Sequence, residues 1–351
     1  MKTTAIMNST SMTNISYTEE EINSYLDELC HEARLRFMPA IIFVGILGLI
    51  GLVGNTLVLI VYYKSFKPKA TRSFILCVTV FDLTTNVVVI PNQIIEYGFQ
   101  YRYPTNGLCV FNNFMRYTMA YGSTLSLALI CFQRYNKICR PLKRQIEERT
   151  ACKLVIACIA LSNILGIPTF FLFKMNVIET DRVGILGRVC EPSDVLKDSI
   201  FPFIHSLLQL ITCILFETFF IVLYSLIGFA IYKQRKFRNE LQLYGALDRP
   251  KCMTRETGRQ KVTKRHKTTF MMVIITATYV LCFLPVIILN TVDSVLQFRK
   301  NLTGAKFISY IIIVNVFYIN AAVNPIVFSF MDERFRNGLM KLFKIKAKHK
   351  I

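Results

Sequence analysis

A chain of 351 residues that is 53% hydrophobic and only 18% charged is too apolar for an ordinary soluble domain and has the composition of a multi-spanning membrane protein. Its formal charge of +20 would suit a nucleic-acid binder, but the distribution excludes that role. Lys and Arg concentrate in alternate loops and in the tail, beside the ends of apolar windows, as the positive-inside rule requires of cytosolic segments that meet anionic lipid and an acidic partner.

Seven apolar windows read as spans, at about 38–63, 74–97, 107–137, 152–173, 201–232, 268–292 and 306–330. The sequence therefore predicts an all-α membrane protein: a polar, acidic N-terminal segment (1–37), a seven-helix bundle (38–330), and a short amphipathic helix with a tail (331–351). No cleavable signal is visible before the first span, which then acts as the signal anchor. Charge asymmetry puts the N-terminus outside and the C-terminus in the cytosol of a plasma-membrane protein. Sequons at Asn8, Asn14 and Asn301 all fall on the side assigned as outer. Cys30 is also outer, and either a free thiol or pairing between molecules fits it.

Span two carries Asp82 near mid-membrane, with Thr79 and Asn86 one turn to either side and Pro91, Gln93 and Glu96 above. Span three runs from Cys109 to Arg134, roughly 37 Å at 1.5 Å per residue, which is a bilayer with its headgroups. Arg116, Ser123 and Arg134 lie within about 20° of one line along it, a polar stripe facing the bundle interior. Snorkelling of Arg116 to the outer surface is the plainer alternative for that residue. The second outer loop holds two β-prone runs, around Asn176–Thr180 and Gly187–Glu191, flanking a turn with Gly184. Cys190 in that hairpin and Cys109 share the oxidising side, so a bridge between them is the natural pairing.

The third inner loop (about 233–267) is basic and broken by Gly245, Pro250 and Gly258, which predicts helical extensions of spans five and six around a mobile centre. On span seven, Asn320 and Asn324 precede Pro325, which removes a backbone hydrogen bond and invites a kink. Arg334 to Phe343 alternate apolar and basic residues at helical spacing, the pattern of a helix lying on the inner leaflet. A carboxylate near mid-membrane demands a partner, because ionisable groups there cost about 2.5–3.5 kcal/mol. Asn86 and Asn315 fit simple interhelical hydrogen bonding.

In order, Gly54-Asn55, Leu76 and Asp82, Cys109, Ser123, Arg134-Tyr135, Pro141-Leu142, Pro168, Cys190, Tyr224, Cys282-Phe283-Leu284-Pro285, Asn320, Asn324-Pro325-Ile326-Val327-Phe328 and Phe335-Arg336 resemble the motif series of rhodopsin-like (class A) G-protein-coupled receptors, across about residues 38–345. The resemblance implies a receptor, not an enzyme. It implies a ligand among Gln93, Arg116, Tyr117, Ala120, Phe283, Val286, Asn290 and Tyr318. Heterotrimeric G-protein coupling then involves Arg134, Tyr135, Pro141, Leu142, Tyr224, Lys264 and Arg265, with Pro285, Pro325 and Phe328 as switch positions. An allosteric sodium ion at Asp82, Ser123, Asn320 and Asn324 is the one cofactor implied, although Ala321 removes a hydroxyl from the usual set.

The chain departs from that pattern in several places. The acid expected before the arginine is Gln133, which can offer Arg134 only a neutral hydrogen bond, so raised basal activity is expected. Arg265 replaces an acid that some relatives use as a second lock. There is no Trp anywhere: Phe283 stands for the toggle tryptophan and Phe328 for a tyrosine that would link to Tyr224. Span five lacks its proline, and Glu217 within it has no assigned role. The tail after Ser329 holds no Ser, Thr or Cys, so arrestin capture would fall to Thr254, Thr257 or Thr263, and desensitisation is expected to be weak.

Arg116 occupies the place of the amine receptors' aspartate, which disfavours a biogenic amine, and Tyr318 stands where an opsin would need lysine. The hairpin loop, the polar upper ends of spans two and six and the acidic N-terminus favour a peptide, a neuropeptide or peptide hormone, with Arg116 placed to meet an acidic group. A chemosensory receptor for a small or acidic molecule is the alternative. A secondary transporter is more distant, lacking repeats and interrupted helices. Four scattered His residues give no metal or catalytic spacing.

Overall fold

A computed structural model describes residues 17–193, 196, 199–245 and 254–343. Asn8 and Asn14 lie outside the described residues, as do the side chains of Thr254, Thr257, Thr263, Lys264 and Arg265. The seven spans are helical. Span one is Glu19–Ser65, and span two is Ala70–Thr84 joined through a π-helical segment, Thr85–Val89, to Ile90–Gly98. Span three is Asn106–Cys139 and span four Glu148–Gly166, with a further turn at Thr169–Leu172 after Pro168. Spans five and six are Phe201–Gly245 and Thr254–Leu296. Span seven is two helices, Gly304–Asn315 and Tyr318–Met331, and a last helix follows at Glu333–Leu342. The outer end is taken as the one bearing the hairpin.

Spans one, two, four, five and six, and the bent seventh, are long and apolar enough to cross a membrane by length and composition. Span three is not among them, because its interior-facing polar residues dilute it. That position is central: span three packs against spans two, four, five and six. Its close approach to span two depends on Gly122, where a Cβ would lie 2.1 Å from the Phe81 ring. Apolar residues of all seven spans, among them Val58, Phe74, Leu127, Ile130, Phe220, Ile275 and Phe328, form one core in the inner half.

Three local features concern the breaks and prolines of spans two and seven. The π-helical segment of span two lets the Ile90 N–H reach back five residues to Thr85 O, just before Pro91. On span seven the 55° bend falls at Val316–Phe317 rather than at Pro325, correcting the expected kink. There Val316, Ile319 and Asn320 bond three residues back, in tight turns that change the helix direction. Pro325 stays inside a helix because its cost is met from outside. Lacking an N–H, it leaves Ala321 O without its helical partner, and the amide nitrogens of Asn55 (2.7 Å) and Asn86 (3.4 Å) donate to that oxygen instead.

Span one is the largest departure from expectation. The boundary placed at 37/38 is not a structural break, because one helix of 47 residues, about 70 Å long, runs through it and past Pro39. Its start is fixed by a capping box: the Glu21 N–H donates to Thr18 Oγ1, and the Thr18 N–H to Glu21 Oε2. The Thr18 N–H and the Thr18 hydroxyl, both donating to Glu21 Oε2, hold that carboxyl below the usual carboxylate range.

The hairpin is as expected. Strands β1 (Phe173–Glu179) and β2 (Leu186–Pro192) pair antiparallel, with Met175 opposite Cys190 and Asn176 opposite Val189. Gly184 sits in the turn at φ 90°, where a side chain would be strained. The amphipathic helix after span seven is also present, anchored by buried Phe335 against Tyr62 and Phe328.

Candidate functional site

The bundle opens at its outer end into a cavity of about 530 Å³. Its walls include Gln93, Arg116, Tyr117, Ala120, Phe283, Val286 and Asn290, so seven of the eight expected pocket residues converge. Tyr318 does not line it: the ring is fully buried behind the wall, and its hydroxyl donates to Gln93 Oε1 at 3.3 Å. At the floor, Phe283 stacks on Tyr279 (4.5 Å), and Thr124 donates to the Tyr279 hydroxyl at 3.0 Å. Cys213, one turn above Glu217, also lines the cavity, and its thiol donates to Glu217 Oε1 at 3.4 Å. That bond places Glu217 just under the floor.

Arg116 neither snorkels nor waits for an acid. Its Nη2 is 2.9 Å from Glu96 Oε2, on span two, and the Asn112 amide donates to the same oxygen at 3.4 Å. With both side chains about four-fifths shielded, each removes most of the other's charge from the cavity. Sequence reasoning set Glu96 apart only as a polar span end; the two residues sit at the same height on neighbouring spans.

The disulfide forms between Cys109 and Cys190, with their Cα atoms 5.5 Å apart, and ties β2 to the top of span three. Cys30 is a free thiol with 3% exposure, so pairing between molecules would require opening its surroundings. Asn301 is exposed in the turn Phe298–Asn301. The cavity also has a wall that sequence reasoning missed, Leu29, Glu32, Ala33, Arg36 and Phe37 of span one. The available signal was Thr18 and Glu21 at capping-box spacing, inside the segment read only as polar and acidic.

At mid-bundle the four expected oxygen-bearing side chains come together, all buried. Asn324 Nδ2 donates to one Asp82 carboxylate oxygen at 2.5 Å and Ser123 Oγ to the other at 3.2 Å. Asn320 Nδ2 donates to Ser123 Oγ at 3.3 Å. The amide oxygens of Asn320 and Asn324 have no hydrogen-bond partner. A carboxylate, a hydroxyl and two spare amide oxygens fit a small hard cation. Asn86 and Asn315 serve as interhelical bonds, Asn315 donating to the Tyr97 hydroxyl at 2.7 Å.

At the inner end Arg134 is buried at 8% exposure. Its neighbour Gln133 is turned away, which corrects the expected Gln133–Arg134 hydrogen bond. Gln133 Oε1 accepts from Thr71 Oγ1 at 2.9 Å, and Lys137 Nζ donates to the same hydroxyl at 2.8 Å. Tyr224 joins spans five and six through Thr276, at 2.9 Å. Phe328 packs on Tyr62 and Phe335, away from that pair. Tyr135 lies under the Arg140 guanidinium, while Pro141 and Leu142 are exposed in the following turn, Leu142 fully so.

The arrangement is an outer cavity joined by a helical bundle to a polar inner end. The sequence model described as "7 transmembrane receptor (rhodopsin family)" matches residues 54–328. A cholecystokinin receptor of Xenopus laevis is 25% identical over 88% of this chain and 77% of its own length. Galanin receptor 2b of Danio rerio is 26% identical over 92% of this chain and 81% of its own length. Among solved structures, squid rhodopsin superposes with a TM-score of 0.65 at 18% identity, over 91% of this chain and 86% of that one. The chain therefore belongs to the rhodopsin family of seven-transmembrane receptors, as a multi-pass membrane protein that receives a signal and catalyses no reaction.

Proposed function

We propose that this receptor binds an extracellular peptide, a neuropeptide or peptide hormone, in the outer cavity and transmits binding to a heterotrimeric G protein at the inner end. The N-terminus is then extracellular and the protein sits in the plasma membrane. The observation that carries the reading is the make-up of the cavity mouth. A β-hairpin and the continuation of span one wall a wide opening, and Arg116 is already neutralised by Glu96. A small acid entering there would find Arg116 and Arg299 already paired with carboxylates, which counts against the chemosensory alternative. Relatives named for cholecystokinin and galanin support the same choice.

In this reading a ligand leaning on Phe283 shifts span six at Pro285. The receptor is a two-state bundle whose ligand favours one arrangement by differential affinity. The inner end of span six moves away from Arg134 and Tyr224, and exposed Leu142 offers the G protein an apolar contact. Asp82, Ser123, Asn320 and Asn324 would hold a sodium ion, which supplies positive charge to the buried carboxylate and favours the resting arrangement.

A panel of synthetic peptides and a panel of small carboxylic acids, read by G-protein activation in cells, tests the ligand class. Activation by peptides is expected; activation by small acids alone would overturn the reading. Sodium is tested separately by agonist dose–response with and without the ion. Responses that ignore both sodium and Asp82→Asn would remove the ion from the scheme.

A further inference from the structure

Span one does more at its outer end than lead into the membrane. Tyr25 and Leu26 close over Ile185 at the hairpin tip, which is 1% exposed. The Arg182 guanidinium covers the Tyr25 ring at 4.2 Å, and Arg102 of the first outer loop pairs with Asp27. Arg36 lies over Phe307 at 3.7 Å and donates to Leu302 O at 2.8 Å. The helix is thereby fastened to all three outer loops, while Leu29, Glu32, Ala33 and Arg36 form one face turned to the cavity.

Among the described residues, six charged side chains line that cavity: Glu32, Arg36, Glu96, Arg116, Glu191 and Arg299. Glu96 is paired with Arg116, and Glu191 with Arg299 at 3.1 Å. Arg36 spends its guanidinium on Phe307 and the Leu302 carbonyl. Glu32 is left with no partner among the described residues. Its carboxylate is the lining charge with neither an ion-pair nor a hydrogen-bond partner among the described residues, and the nearest opposite charge on its own face, Arg36 one turn on, is turned to Phe307 and the Leu302 carbonyl.

We propose that the continuation of span one is a ligand-selecting arm, and that Glu32 receives a cationic group of the peptide, a Lys or Arg side chain or a free amino terminus. This rests on the peptide reading of the outer cavity. Because the carboxylate sits at the exposed mouth, its contribution is selectivity more than affinity.

The test uses the full chain in cells, a panel of synthetic amidated peptides of graded net charge, and G-protein activation as readout. Active peptides should carry a basic group, and replacing that group by norleucine or acetylating it should raise the half-maximal concentration about fivefold. Glu32→Gln should produce the same rise for the basic peptide and none for its neutral analogue, while Glu28→Gln, on the same helix but off the cavity wall, changes nothing. A basic peptide whose potency ignores Glu32→Gln at equal surface expression, or basic and neutral analogues shifted alike, would overturn the assignment and leave the peptide reading standing. A receptor that answers small acids or no peptide at all would overturn both.

Discussion

Span three carries an arginine at each end, and the residues around the two differ. At the outer end Arg116 faces a carboxylate, Glu96, at 2.9 Å, in a region also fixed by the Cys109–Cys190 bridge and the Arg299–Glu191 pair. At the inner end the residue beside Arg134 is an amide that bonds to Thr71, and spans five and six meet through the hydroxyls of Tyr224 and Thr276. Charge-assisted bonds are roughly twice as strong as neutral ones. The Glu96–Arg116 contact is thus expected to cost more to break than the Gln133–Thr71 or the Tyr224–Thr276 contact.

The largest expected effect comes from breaking the outer pair. Glu96→Gln or Arg116→Ala leaves a mostly shielded charge uncompensated and should cost about 3 kcal/mol, seen as a lower unfolding temperature of the purified receptor. Replacing both with apolar residues of similar size should cost less than either change alone. If the double variant is the worst of the three, the pair contributes more than mutual neutralisation.

Next in size is the reverse operation, making the inner end resemble the outer. Gln133→Asp restores a carboxylate beside Arg134 and should lower ligand-free signalling several-fold, about 1 kcal/mol in favour of the resting state. Unchanged basal signalling at equal surface expression would show that the amide is not what loosens this end. Thr71→Val removes the hydroxyl shared by Gln133 and Lys137, two bonds of which the lysine's is charge-assisted, and should raise basal signalling about fivefold, roughly 1 kcal/mol net. Smallest is Thr18→Ala, which opens the capping box and should cost about 1 kcal/mol locally. Faster hydrogen exchange confined to the first turns of span one is the expected sign, and exchange unchanged there would mean that tertiary contacts alone hold the helix start.

Most of the bundle was legible because its signals are local. Apolar windows mark the spans, Gly184 between β-prone runs marks the hairpin, and the alternation from Arg334 to Phe343 marks the last helix. The mid-bundle cluster was legible as well, since Asp82, Ser123, Asn320 and Asn324 come with motif spacing. What escaped depends on partners distant in sequence. Gln133 turns to Thr71, 62 residues away, and nothing in its own segment says so. Glu96 and Arg116 meet only once two spans are set side by side. Residues 19–37 were set apart from span one because they are polar and acidic; they continue its helix, braced by the hairpin tip, Arg102 and Phe307. The bend of span seven was assigned to Pro325 because proline is visible in a sequence, whereas the tight turns at Val316–Phe317 are not.

The Ala321 carbonyl, held by Asn55 and Asn86, has a consequence for motion. One backbone oxygen is where the first, second and seventh helices are pinned together, and the adjacent proline ring seats flush against Gly54, where a Cβ would stand 2.6 Å away. Movement of the lower seventh helix is therefore expected to pivot at this fastened point instead of sliding past it. The first two helices then act as the frame for that pivot.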